Sequence, residues 1–285
     1  MISTFLLAIW NRYFGESLRK IEAESLDYRQ SEAGRSPDWK TIAVLVTVAV
    51  CLTIQNYAGH PSRVRGVAGF VVRTVAGENS ALRVQQELDM WSSNQADSLT
   101  WWAACSLLTY TVIPILVLKL GLRERLGEYG LKVRGIHKSW PVYAMFVAVM
   151  VPIVVVMSAE DRFQETYPFY RVNSPDQVNW EFLRWELLYA MQFVALEFFF
   201  RGFIVHGTKH RFGVYSTFVM MIPYCMIHYQ KPLPEACASI IAGIALGFVS
   251  LTTRSVWLGA ALHISVAWSM DTATLTRRGL LPFPW

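Results

Sequence analysis

Apolar residues in this chain come in runs too long for the core elements of a water-soluble domain. They fall at roughly 41–57, 99–119, 140–158, 182–206, 214–230, 236–253 and 256–271. Each approaches the roughly 20 residues an α-helix needs to cross a bilayer. The first, TIAVLVTVAVCLTIQNYA, is rich in β-branched residues that would suit a strand in water. Within lipid the backbone must satisfy its own hydrogen bonds, so this run too is helical. The pattern therefore predicts an all-α, polytopic membrane helix bundle of about seven transmembrane helices. Trp101, Trp102, Trp140, Trp180 and Trp257 stand near run ends, where an aromatic belt belongs. The opening MISTFLLAIWNRYF is apolar but short, with no basic stretch before it and no small-residue cleavage site. It reads as an interfacial helix, with Phe5, Leu6, Ile9 and Trp10 in the headgroup layer and Arg12, Arg19 and Lys20 in water.

The same pattern divides the chain. An N-terminal interfacial and cytoplasmic segment covers 1–40. The first spans occupy 41–181 and include a polar stretch at 58–98, with a surface helix expected near ALRVQQELDM. A core of four spans follows at 182–271, and then a tail at 272–285. Only 16% of residues are charged, against about 25% in ordinary soluble domains. The net charge of +5 does not gather into one patch, so a nucleic-acid partner is not expected. The basic residues recur in short loops instead: Arg29, Arg35 and Lys40 before the first span; Arg123, Arg125, Lys132, Arg134 and Lys138 after the second; Lys209 and Arg211 after the fourth; and Arg254 before the last. All lie on one side if the N-terminus is cytoplasmic, while Arg277 and Arg278 run against that orientation. A multi-pass protein of a bacterial inner membrane is the expected setting. Cys51, Cys105, Cys225 and Cys237 sit in apolar runs without a C-x-x-C pair, which offers neither a disulfide framework nor a zinc ribbon.

Ionisable groups inside spans are costly enough to direct attention to function. Glu197 and Arg201, in ALEFFFRGF, are four residues apart and so share a helix face. His228 closes the fifth span and His263 lies well inside the seventh. Each has a plainer reading: an ion pair snorkelling to the interface, a solvated histidine at a helix end, an interhelical hydrogen bond. Glu235 and Asp271 read as solvated charges near span ends. The fourth and fifth spans form a hairpin turning near Gly207–Gly213, which sets Glu197, His228 and His263 at similar depth. A carboxylate and two imidazoles at one level suit water activation and oxyanion stabilisation.

These residues resemble the CPBP intramembrane endopeptidases, the family of CAAX prenyl endopeptidases and bacteriocin-processing or self-immunity proteins. Its pattern is E-E-x-x-x-R, then F-x-x-x-H, then H-x-x-x-N on successive helices. Here it appears as Leu196-Glu197-x-x-x-Arg201 followed by Gly202-Phe203, then Tyr224-x-x-x-His228, then His263-x-x-x-Ala267. The segment LGEYGLKVRG also resembles a lead-in common in the family. The chain departs at Leu196, where the resemblance places the water-activating Glu, and at Ala267, where it places an Asn of the oxyanion site.

What the resemblance implies is a peptidase cleaving a membrane-associated or lipidated protein. Its catalytic residues would be Glu197, His228 and His263, supported by Arg201, Tyr224 and Glu235. No cofactor is required; a catalytic zinc held by two imidazoles and a carboxylate is the minor alternative. Two other readings stand beside it. One is a relative that has lost hydrolysis and acts as a membrane binding, immunity or maturation partner, as Leu196 and Ala267 suggest. The other is a proton-coupled transporter, which would need the inverted repeats that this sequence lacks.

Overall fold

The fold was obtained as a computed structural model that describes residues 14–133 and 140–281, apart from the side chains of Pro61 and Ser62. The interfacial helix expected around Phe5–Trp10, the loop residues Arg134 and Lys138, and the end of the tail lie outside the described residues. Among the described residues the regular structure is helical, with one isolated bridge between Leu131 and Ser255. The chain is an all-α membrane protein, as the apolar runs require.

The principal helices are α1 (Glu16–Gln30), α2 (Trp39–Ala58), α3 (Pro61–Ala76), α4 (Glu78–Ser93) and α5 (Gln95–Gly121). They are followed by α6 (Trp140–Met157), α7 (Trp180–Glu197), α8 (Ser216–Met226), α9 (Leu233–Thr253) and α10 (Trp257–Arg277). Among the described residues, five stretches are long and apolar enough to cross a membrane: α2, α5, α6, α9 and the continuous run Trp180–Met226. That run takes in both the fourth and the fifth predicted spans. The predicted seventh span is α10, which continues to Arg277 and is not among those five. The stretch 58–98 holds two helices: ALRVQQELDM falls within α4, and α3 precedes it.

On α2, Val44, Val48 and Cys51 are buried at helical spacing, while Ile42, Val46 and Val50 on other faces are exposed. Apolar residues all round a helix mark one that meets protein on one side and lipid on the other. On α6, Met145, Val149, Ile153 and Val156 form an exposed apolar row of the same kind.

Contacts divide the chain into two compact units. The first comprises residues up to 48, 114–145 and 196–262. The second comprises 49–113, 146–195 and 263 onward.

In the first unit, α7 continues as a π-helix, Phe198–His206, every residue of which is buried. The chain then runs through Gly207–Phe212 and reverses at Gly213. With φ of +55°, Gly213 holds a conformation that other residues rarely adopt, and a Cβ there would meet Glu22 Oε2 at 2.1 Å. Helix α1 and the segment that follows it are pinned at this bend. The Val214 N–H donates to Glu22 Oε2 at 3.2 Å, Arg211 donates to the Gly34 carbonyl, and His210 bonds Asp38 at 2.8 Å. Beneath the π-helix lies LGEYG (126–130). Its Tyr129 is buried and donates to Glu124, which also accepts from Lys40 at 2.8 Å. Burial first, and then the Glu124 carboxylate, push the Tyr129 phenol up.

In the second unit an aromatic wall forms the core. Trp185 stacks on Tyr189 at 5.2 Å, Trp102 stacks on Trp185 at 5.9 Å, and Phe169 meets Tyr189 edge-on at 5.6 Å.

Candidate active site

The fourth predicted span supplies the site's charge pair. Arg201 Nη1 lies 2.9 Å from Glu197 Oε1, and both side chains are completely buried. The plainer reading, an ion pair snorkelling to the membrane surface, therefore does not hold: neither group reaches solvent. Two charges without water persist only with close, well-aimed partners. Glu197 also packs against α10, where a Cβ on Gly259 would stand 2.1 Å from Oε2. The carboxylate occupies the space that any side chain at 259 would fill. Gly259 was not singled out from the sequence, and the only available signal was a glycine in an otherwise apolar run, LGAAL.

Arg201 is covered on its other face by Tyr224, whose ring centroid is 4.1 Å from the guanidinium carbon. This is a cation–π contact in a dry setting, where such contacts are strongest. Tyr224 comes from α8, is itself buried, and is held edge-on by Phe200 at 5.3 Å. The aromatic ring expected at this position is thus retained.

His228 lies just past the end of α8. Its ring lies 4.8 Å from that of Tyr224, and its Nδ1 is 2.8 Å from the Tyr224 carbonyl oxygen. A carbonyl only accepts, so Nδ1 carries the proton and Nε2 is the ring's basic nitrogen. Glu197, Arg201, Tyr224 and His228 are therefore brought together in the first unit as one sequence of contacts. Glu235, on α9, is partly exposed and lies 3.9 Å from Lys231, which stands just before that helix.

His263 belongs to the second unit, where its ring stacks on Phe193 at 5.4 Å with the planes 5° apart. Ala267 is buried against Trp185 and Tyr189 in the same unit. The aromatic wall fills the surroundings of that small residue, which gives the replacement of the family's Asn a packing rationale. Asp271 corrects an expectation. It is not a solvated end-charge but 2% exposed, and its carboxyl hydrogen-bonds that of Glu186, also buried.

Sequence reasoning also passed over His206. It is buried, with Nε2 3.1 Å from Ser250 Oγ and Nδ1 3.2 Å from Lys209 Nζ. An ammonium only donates, so Nδ1 accepts and Nε2–H points to the serine. Among the described residues, no three His, Cys, Asp or Glu side chains gather in a way that could hold a metal ion.

A polytopic helical membrane protein with a buried Glu–Arg pair, an aromatic lid and a histidine one turn beyond is the class these features define. Residues 178–269 match the family model described as type II CAAX prenyl endopeptidase Rce1-like. This segment is thus similar to a membrane protease family, in agreement with the CPBP resemblance. No curated protein matches the chain, and no solved structure does.

Proposed function

We propose that the protein is an intramembrane peptidase of the CPBP type, hydrolysing a peptide bond in a membrane-associated or lipidated protein. The observation that carries this reading is the buried Glu197–Arg201 pair joined through Tyr224 to a histidine whose basic nitrogen is fixed. A merely structural ion pair does not call for that alignment. In the proposed reaction the site, closed in the resting protein, opens to the cytoplasmic side and admits water; Glu197 then takes a proton from that water and the resulting hydroxide adds to the scissile carbonyl carbon. His228 takes that proton from Glu197 at its basic nitrogen and passes it to the leaving amine, and His263 stabilises the oxyanion. The chemistry asks only for water and side chains. We place the N-terminus in the cytoplasm, following the basic loops.

Leu196 and Ala267 favour a second reading, a family relative that binds its membrane partner without hydrolysing it. Cleavage by the purified full chain in lipid nanodiscs separates the two, with prenylated and acylated membrane peptides as substrates. The wild type is expected to cleave at least one class. Glu197→Gln, His228→Ala and His263→Ala should each lower turnover by about 100-fold or more, the scale of a lost acid–base group. A wild type that cleaves nothing, or variants that all cleave as well as it does, would leave the binding relative as the surviving reading.

A further inference from the structure

Helices α3 and α4 form an antiparallel hairpin in the second unit, turning at Gly77, whose φ is +81°. At 16 residues each is about 24 Å long, short of a bilayer crossing, and α3 carries Arg63, Arg65 and Arg73. Neither helix therefore spans. Close packing between them is visible at Gly69, which is buried with Gln85 pressed against it: a Cβ there would stand 2.1 Å from the amide nitrogen. The exposed side of α3 is apolar. Val67, Phe70, Val71 and Val75 recur at the three-and-four spacing of one helix face, and Phe70 and Val75 are 71% and 82% exposed. A large contiguous apolar face of this kind marks an interaction surface.

The connections of the hairpin indicate its occupant. It begins three residues after the span α2 ends and stops two before the span α5 begins. Its base is marked by tryptophans: Trp91 of α4 meets Trp101 of α5 edge-on at 5.6 Å, and the Trp101 indole donates to the Ala58 carbonyl at 2.7 Å. Tryptophans at span ends sit at headgroup level. A hairpin tied there at both ends cannot leave the membrane surface. Arg65 and Arg73 have polar company away from the apolar face, 3.2 Å from Asp89 and 2.8 Å from Glu78, while Arg63, one turn before Val67, reaches back to donate to the Asn56 carbonyl at 2.7 Å. This is the arrangement of an interfacial helix, apolar on one side and charged on the other.

We propose that the α3–α4 hairpin lies flat in the headgroup layer of the bilayer its neighbours span, with Val67, Phe70, Val71 and Val75 inserted among the acyl chains. The occupant of the apolar face is then phospholipid, not a second protein. The test uses the full chain in vesicles of phosphatidylethanolamine and phosphatidylglycerol, with the photoreactive residue p-benzoylphenylalanine replacing Phe70, Val75 or, as the polar-face control, Glu87. Irradiation at positions 70 and 75 should give phospholipid adducts by mass spectrometry, in several-fold higher yield than at 87. In a Phe70→Asp/Val75→Asp background, the same probe at Val67 should lose most of its lipid adduct. Equal yields at all positions, or protein adducts in place of lipid at 70 and 75, would overturn the proposal, the latter by showing a protein docking face.

Discussion

Arg201 has no water to fall back on. Its charge is compensated by Glu197 along the helix and by the π-face of Tyr224 across it. Removing one partner of such a pair leaves the other buried and uncompensated, which costs about 3–5 kcal/mol, whereas replacing both with neutral groups costs far less. Arg201→Met alone should therefore destabilise the folded protein by about that amount. The double variant Glu197→Gln/Arg201→Met should recover most of the loss, as read by denaturant unfolding in detergent. Additive losses would show that the two charges do not depend on each other. At this scale much of the site was legible in the sequence. The i, i+4 spacing of Glu197 and Arg201 and the Tyr224-x-x-x-His228 interval are both local, and helix geometry turns local spacing into contact. Gly259 and the Glu186–Asp271 carboxyl pair were not legible. Both depend on which helix packs against which, and no spacing along one helix carries that information.

The element that shapes the site is the π-helical continuation of α7. Its wider turn is uncommon and is found chiefly at functional sites. Here it is buried on every side, with Phe198, Phe199, Phe200 and Phe203 all inaccessible. That burial explains why the sequence predicts a span but not its winding: a helix apolar all round has no periodic pattern to read. The floor beneath it is backbone. A Cβ on Gly202 would lie 2.7 Å from the Tyr129 carbonyl oxygen, whereas one on Gly121 would meet nothing within 4 Å. Gly202→Ala should thus cost about 1–3 kcal/mol through overpacking against a group that cannot rotate away. Gly121→Ala should leave the thermal unfolding midpoint unchanged. Equal midpoints for the two variants would mean that the LGEYG segment yields freely. The stretch 58–98 teaches the complementary lesson: its polar composition announced a surface location, but the three-and-four spacing in α3 was needed to show an apolar face within it.

Across the molecule, length and composition secured the all-α membrane architecture, since only helices and closed barrels satisfy the backbone in lipid. The pinning of α1 and the segment after it was not legible, because it rests on pairings such as Asp38 with His210, 172 residues apart. Burial works against the Asp38 carboxylate. Hydrogen bonds from the Thr41 backbone and hydroxyl, together with His210, nevertheless hold its pKa below the ordinary value. A carboxyl whose folded pKa is depressed adds stability above its unfolded pKa, and this is lost as pH falls through the folded value. Acidification through and below the usual carboxylate range should therefore loosen α1, with faster hydrogen exchange in Glu16–Gln30. Asp38→Asn should flatten that pH dependence, and an unchanged acid profile would remove Asp38 from the account. The Glu197–Arg201 pair has a consequence earlier in the protein's life. Because both charges sit on one helix turn apart, they can neutralise each other as soon as that helix forms, before any partner helix has been synthesised. The segment can then leave the translocon for lipid as a net-neutral unit, so a charge arrangement suited to chemistry in the finished protein also eases its insertion.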